Sequence, residues 1–260
     1  MKFYKYHGTG NDFILIDQRF CQELQAADHQ RIAALCQRRF GIGADGLILL
    51  QQSDEADFHM AYFNADGHPS SMCGNGGRCV VAFAKRLNVF TGSQCRFSAS
   101  DGLHSAELLP DGRIALEMTA VPRVRRAGDA FFLDTGSPHH VCFVPEPDAV
   151  DVQAEGARIR YSDAYRSEGV NVNFVAEQGG GLRVRTYERG VEAETWSCGT
   201  GVTAAALAYW YKKSGRAGAH SLPISTPGGE LEVRFTYEPS LGFRQIFLVG
   251  PAVAVFEGEV

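Results

Sequence analysis

Short apolar runs and polar–apolar alternation predict strands at residues 2–7, 13–17, 47–50 and 58–64. Between them, residues 28–39 carry Ile32, Leu35 and Cys36 at helical spacing behind Asp28 as N-cap, which predicts a helix. A second helix should run from the turn at Cys73-Gly74-Asn75-Gly76 to about residue 88. Strands follow at 95–98, 103–109 and 113–117, the last two joined by a hairpin turn at Pro110-Asp111-Gly112. Residues 121–128, with a proline and several arginines, are expected to be a linker. Beyond it the pattern predicts strands at 131–134, 140–144, 170–175 and 182–188, and a helix at 149–159. An apolar helix at 202–213 follows the turn 196–201, and the end of the chain is β-rich at 231–237, 245–249 and 253–256.

The pattern repeats. Cys73-Gly74-Asn75-Gly76 before one apolar helix matches Cys198-Gly199-Thr200-Gly201 before another, 125 positions on (198 less 73). Thr9-Gly10-Asn11 pairs with Thr135-Gly136-Ser137, Gly43-Ala44-Asp45 with Gly169-Val170-Asn171, and Tyr62-Phe63-Asn64 with Thr186-Tyr187-Glu188. After each helix stands another turn, Ser100-Asp101-Gly102 and Pro227-Gly228-Gly229. Shared order and spacing predict two similar domains, 1–118 and 119–248. The offset is far longer than a solenoid period.

Composition narrows the classes. With 260 residues, 45% hydrophobic, the chain is long enough for two packed domains. A net charge of −5 argues against a nucleic-acid partner, which needs a basic face. No apolar run approaches a membrane span, and the N-terminal residues lack a signal-peptide core, so a cytoplasmic location is expected. Seven scattered cysteines without CxxC pairs make neither a disulfide framework nor a zinc site, and no metal is expected. The glycines Gly41, Gly43 and Gly46 fit GxGxxG but precede a strand, so they are not a dinucleotide fingerprint.

A cysteine where a glycine turn becomes a helix meets unpaired N–H groups and the positive end of the helix dipole, which favour its thiolate. Taken alone, such a cysteine can equally be a small buried apolar residue. Two of them, one per domain, would face each other across a cleft if the domains opposed. Inverting a Cα–H centre needs a base on one face and an acid on the other, and a thiolate–thiol pair supplies both. Backbone N–H groups at Gly74, Asn75, Gly199 and Thr200 could hold the substrate carboxylate as charge builds on it. A redox dithiol and a two-lobed solute-binding protein are the alternatives. The first usually carries CxxC, and the second leaves the cysteines unexplained.

The motifs resemble those of the diaminopimelate epimerase family: HGTGNDF at 7–13, FGIGADGL at 40–47, FNADG at 63–67, MCGNGGRC at 72–79, GVNVNF at 169–174, YERGVEAETWSCGTG at 187–201, TPGGELEV at 226–233 and GPA at 250–252. The resemblance implies an α/β (α+β) fold of two pseudo-symmetric domains, each a β-barrel-like sheet wrapped around a central helix. The last strand, about 249–260, should complete the first domain, with the active site in the interdomain cleft. It implies cofactor-independent interconversion of L,L- and meso-2,6-diaminopimelate, in lysine and peptidoglycan precursor synthesis, by a homodimer. Cys73 and Cys198 correspond to the acid/base pair, and His139 and Glu188 to groups that orient or polarise the reacting end. Asn11, Asn64, Asn171 and Arg189 correspond to substrate ligands, with Glu188 also among them. Arg189 suits a distal carboxylate bidentately.

Three positions depart from the family pattern. Ser137 stands where some members have Asn, Gly46 where some have Gln, and His140 where some have Cys. Gly46 has no side chain to offer, and His140 is read as an exposed strand residue. Cys79 is read as structural, and Cys21, Cys36, Cys95 and Cys142 as packing residues. Trp196 would either wall a pocket or fill core. Proline and hydroxyproline racemases are the nearest alternative within the fold. Asn75 stands where they have His, and Glu194-Thr195-Trp196-Ser197 where they have Asp-x-Ser-Pro.

Overall fold

The structure is a computed structural model and describes residues 1–213 and 215–260. In chain order the elements are β1 (Lys2–Gly8), β2 (Asn11–Asp17), α1 (His29–Cys36), β3 (Gly46–Gln51), β4 (Phe58–Asn64), α2 (Gly74–Arg86), β5 (Gln94–Ala99), β6 (Gly102–Leu108) and β7 (Ile114–Met118). Then follow β8 (Arg125–Ala127), β9 (Ala130–Asp134), β10 (Pro138–Phe143), a 3₁₀ turn (Pro147–Ala149), α3 (Val152–Arg160), β11 (Asn171–Gln178), β12 (Gly181–Glu188) and β13 (Ala193–Thr195). The chain ends with α4 (Gly199–Lys212), β14 (Gly218–Thr226), β15 (Glu230 lies in it; Gly229–Glu238), β16 (Gly242–Gly250) and β17 (Val253–Glu259). It divides into two compact units, Met1–Leu116 with Gly250–Val260, and Glu117–Val249.

In the first unit β17 pairs antiparallel with β1, and β1 with β2. The order continues as β2–β3 parallel, β3–β4 antiparallel, β4–β5 parallel, then β5–β6 and β6–β7 antiparallel. β2 and β3 are near-continuous apolar runs because both faces are covered. Ile14, Ile16, Leu47 and Leu49 pack with Ile32, Leu35 and Cys36 of α1. Helix α2 packs against β1, β2, β3, β4 and β6. It is buried from Gly74 through Val81, as a helix wrapped by a sheet must be. Its start admits no bulk, since a Cβ on Gly77 would lie 2.9 Å from Leu116 Cδ2.

The second unit repeats these pairing senses. β9–β10 is antiparallel, β10–β11 parallel, β11–β12 antiparallel, β12–β14 parallel, and β14–β15 and β15–β16 antiparallel. Val172 and Phe174 of β11 pack toward Val152 of α3, and α4 packs against β9–β12, β14 and β15. Thus α1 and α3 stand between the parallel pairs β2–β3 and β10–β11, while α2 and α4 stand between β4–β5 and β12–β14. The repeat read from the glycine turns is a repeat of topology.

Several expectations need correction. The helix at 28–39 stops at Cys36, where Gln37 turns extended and Gly43 and Ala44 donate back to the carbonyls of Leu35 and Cys36. The helix at 149–159 is a 3₁₀ turn followed by α3, whose N-cap Asp151 accepts from the Ala154 N–H at 3.0 Å. The stretch 121–128 is not a plain linker: Val121 bridges to Phe243, and β8 forms a hairpin with β9. β10 begins at Pro138, so His139 and His140 are both strand residues, and His140 is half-buried rather than exposed. Cys21 is exposed, so it is no packing residue, and Trp196 is 63% exposed and fills no core.

Candidate active site

Each unit carries a cysteine as the N-cap of its central helix. Cys73 has φ −105° and ψ 143°, and Cys198 has φ −107° and ψ 111°, extended in both cases as a cap residue should be. The Cys73 sulfur accepts from the Gly76 N–H at 3.2 Å and stands 3.9 Å from Asn11 Oδ1, an S–H acceptor. The first contact suits a thiolate and the second a thiol. At Cys198 a single group offers both, because the Thr200 hydroxyl, 3.5 Å away, can donate or accept.

In the first unit the orientation of Asn11 is set from behind. Its Nδ2 donates to Asp45 Oδ2 at 2.7 Å, which turns Oδ1 toward Cys73 and toward Asn75 Nδ2 at 3.3 Å. Asp45 is held by Arg38 at 2.8 Å, and Arg38 also grips Asp12 at 2.6 Å. Lys5 pairs with Asp12 at 2.8 Å and also donates to the Gly43 carbonyl. Burial would raise the Asp12 carboxyl, but the hydrogen bonds from Arg38 and Lys5 outweigh it and hold it at about 2. Behind Asn75 lies Arg78, fully buried, whose guanidinium is pushed down to about 10 by that burial. It donates to Gly74 O (3.2 Å), Asn75 Oδ1 (3.0 Å), Thr9 Oγ1 (3.2 Å) and Pro251 O (3.3 Å). Thr9 and Gly10 both have positive φ, 52° and 87°, as a two-residue hairpin requires.

Asn11, Cys73, Gly74 and Asn75 therefore form one cluster. Asn64 is exposed at the end of β4, opposite Gly46, and among the described residues no hydrogen bond joins its side chain to that cluster. Gly46 has no room for a side chain: a Cβ there would lie 2.6 Å from both the Phe63 carbonyl and the Tyr62 ring.

In the second unit the Thr135 hydroxyl donates to the Thr200 carbonyl at 2.9 Å, tying the β9–β10 turn to the first turn of α4. Asn171 gives Nδ2 to Ser137 Oγ (2.8 Å) and Pro138 O (3.1 Å), and its Oδ1 accepts from the Arg189 N–H at 2.8 Å. Both amide hydrogens are thus committed, and a lone pair on Oδ1 remains for a ligand. Arg189 is anchored by Glu168 O at 2.9 Å and reaches Ser137 Oγ at 3.5 Å, so the shorter Ser137 is tied into this corner. Glu188 ends β12, half-buried, and accepts from Thr195 Oγ1 at 2.9 Å. His139 is fully buried, and burial followed by the charge of Arg189 pushes its imidazole down to about 3. His140 bonds Tyr165 Oη at 2.9 Å.

Sequence reasoning missed Arg78, Asp45, Asn173 and Thr186. Arg78, Asp45 and Asn173 lie inside the motifs already singled out, and Thr186 inside the repeated triplet 186–188. Asn173 follows Asn171 by two, the spacing that puts both on one face of β11.

The family model for diaminopimelate epimerase matches residues 3–124 and 131–255. The chain is 52% identical to diaminopimelate epimerase of Flavobacterium psychrophilum over 261 residues, covering all of both chains. It is 42% identical to that of Chlorobaculum tepidum, covering 97% of this chain and 98% of the relative. Among solved structures, a Bacillus anthracis phenazine biosynthesis protein of the PhzF family superposes with TM-score 0.81 at 16% identity, covering 100% and 98% of the two chains. A hydroxyproline epimerase from Agrobacterium vitis does so with TM-score 0.70 at 15% identity, covering 99% and 91%. At such identities these two likenesses speak for the fold alone.

Proposed function

Since the chain belongs to the diaminopimelate epimerase family, a family of isomerases, we propose that it interconverts L,L- and meso-2,6-diaminopimelate by a cofactor-independent two-base mechanism. One cysteine thiolate removes the α-proton, and the thiol of the other delivers a proton to the opposite face. The reaction therefore needs Cys73 and Cys198 on opposite sides of one α-carbon, in a cleft between the two units. The observation that carries this reading is the pair of cysteine N-caps, each with partners able to satisfy both thiol and thiolate. A two-way acid/base must be stable in either state, because the roles exchange with the direction of turnover.

The N–H groups at Gly74, Asn75, Gly199 and Thr200 are the donors we assign to the reacting carboxylate, where they would stabilise charge as the proton leaves. His139 and Glu188 would polarise the reacting end. The distal amine and carboxylate would meet Asn11, Asn64, Asn171, Glu188 and Arg189. Arg189 would be the carboxylate partner and the Asn171 oxygen an ammonium acceptor. Its product would feed lysine and peptidoglycan precursor synthesis in the cytoplasm. The family resemblance also supports a homodimer, for which sedimentation equilibrium is the test.

The direct assay is incubation of the reduced protein with L,L-diaminopimelate in deuterated water, with NMR detection of deuterium at one α-carbon. Both the exchange and the meso product are expected. Folded protein that exchanges nothing would sink the activity. Exchange that survives in the Cys73→Ala, Cys198→Ala double variant would remove the cysteines from the mechanism.

A further inference from the structure

The buried face of β11 carries an amide, inside the GVNVNF motif, to which the proposed mechanism assigns no role. Asn173 is fully buried, directly opposite Thr186 in the β11–β12 ladder and on the face that meets α4. One of its side-chain atoms lies 3.3 Å from the main-chain oxygen of His140. A main-chain oxygen can only accept, so that atom is the amide nitrogen Nδ2. The same Nδ2 lies 3.1 Å from Nδ1 of His139. Asn173 Oδ1 in turn receives the Thr186 hydroxyl at 2.9 Å. Flipping the amide would set oxygen against oxygen at His140, so the network fixes its own orientation.

Nδ1 of His139 is therefore an acceptor. Burial and the nearby Arg189 charge keep the ring from taking a second proton. A neutral imidazole carries one proton, which must then sit on Nε2. Nε2 is buried and has no hydrogen-bond partner among the described residues. A buried donor left unpaired is unfavourable, and the penalty is relieved when a ligand supplies an acceptor.

We infer that Asn173 is a positioning residue that makes Nδ1 of His139 the acceptor and so presents its Nε2–H as a hydrogen-bond donor to the bound substrate. It follows that His139 enters turnover as a donor and not as the resting base, since its one lone pair is already occupied. The role in turnover rests on the epimerase reading above, but the tautomer does not. Gly201 belongs to the same arrangement. A Cβ there would lie 2.5 Å from Asn173 Oδ1 and 3.2 Å from the Cβ of Cys198, so the first turn of α4 closes directly over the amide.

The test is long-range proton–nitrogen correlation NMR on the full chain labelled with nitrogen-15 at histidine, His139 being assigned by its loss in His139→Gln. Nδ1 should show the shift of an unprotonated nitrogen and Nε2 that of a protonated one. In Asn173→Asp the new carboxylate accepts, so the proton should move to Nδ1. There kcat should fall about tenfold with KM changed less than about twofold, as loss of one donor made in the transition state requires. A wild-type ring protonated on Nδ1 overturns the inference. So does an Asn173→Asp protein whose ring and kcat match wild type. If that variant does not fold, the wild-type spectrum decides alone. A wild-type protein with Nε2–H that epimerises nothing would refute the activity while leaving the tautomer assignment standing.

Discussion

Arg78 joins three separate segments of the first unit: the β1–β2 turn through Thr9, the start of α2 through Gly74 and Asn75, and the returning C-terminal segment through Pro251. Replacing it with methionine keeps most of the volume and removes all four bonds. Hydrogen bonds from a charged group are worth about 1.5–3 kcal/mol each. These are at the long end, 3.0–3.3 Å, so about 6 kcal/mol in total is the appropriate scale. Against this stands the penalty of burying the guanidinium. Its displacement from 12.5 to about 10 corresponds to about 3 kcal/mol, and methionine escapes it. The remainder is a loss of about 3 kcal/mol, or a fall in Tm of about 6–12 °C. The strained Thr9 turn and the Asn75 amide would also lose their anchor, so epimerisation should fall further than stability does. Urea unfolding and calorimetry read the first quantity, and deuterium exchange at a temperature where the variant is folded reads the second. Arg78→Lys, with the charge but not the fork, should lie between the two proteins. A Tm within about 2 °C of wild type in Arg78→Met would refute the reasoning, because it would mean the four bonds do no more than offset the buried charge.

Other consequences are as direct. The Asp12 carboxyl, at about 2 in the folded protein against a reference of 3.8, contributes stability that is full above about pH 4 and lost as pH falls through about 2. Asp12→Asn should therefore be about 1–2 kcal/mol less stable at neutral pH, the Coulombic part being discounted for partial exposure, and the gap should close near pH 2 in acid unfolding curves. Gly201→Ala forces a Cβ against Asn173 Oδ1. We expect about 1–3 kcal/mol of destabilisation in urea and a larger fractional loss of kcat, and unchanged values would show that the α4 start yields freely. Gly46→Gln should destabilise by about 2 kcal/mol or more, because backbone at Phe63 cannot move aside. Recovery of a soluble variant with wild-type Tm would contradict the close approach.

The parts of this protein that can be read from sequence are those written in local chemistry. The cysteine at the head of each central helix is legible from the glycine turn around it, although α4 starts at Gly199, ahead of the expected 202. The strands follow from apolar runs covered on both faces. The parallel topology of the halves follows from turns recurring at one offset. What the sequence hides is set by chain reversal and long-range pairing. Residues 37–39 continue a helical pattern, yet the helix ends at Cys36 because Gly43 and Ala44 fold back onto its last carbonyls and Gly41 onto that of Gln37. Residues 125–127 look like a linker until β9 supplies a partner. At the site, the residues that would meet substrate are recognisable by type, whereas their supports are not. Nothing local distinguishes the Asn173 amide, which is occupied by the protein, from the Asn64 amide, which is exposed. Arg78 reads as an ordinary helix-surface arginine until the sheet closes around α2.

On the proposed two-cysteine mechanism, the two halves would solve one chemical problem with different parts, and the difference follows from their first turns. At Cys73 the donor and the acceptor are separate, the Gly76 N–H and the Asn11 oxygen, and Asn11 is locked by Asp45 and through it by Arg38. At Cys198 one rotatable hydroxyl, Thr200, stands where the first half has Asn75, and its carbonyl is anchored by Thr135. The first arrangement needs a buried arginine and an acidic cluster to hold two amides in place. The second uses a hydroxyl rotor and a backbone contact. Substitutions in the supporting network should therefore be asymmetric. Asp45→Asn, which lets the Asn11 amide turn over, should slow proton transfer at Cys73 while leaving transfer at Cys198 close to wild type. Deuterium wash-in measured separately from the L,L and meso substrates would show this as unequal rate losses. Equal losses from both would mean that the two sulfurs are governed together, and that the division of labour drawn from their partners is wrong.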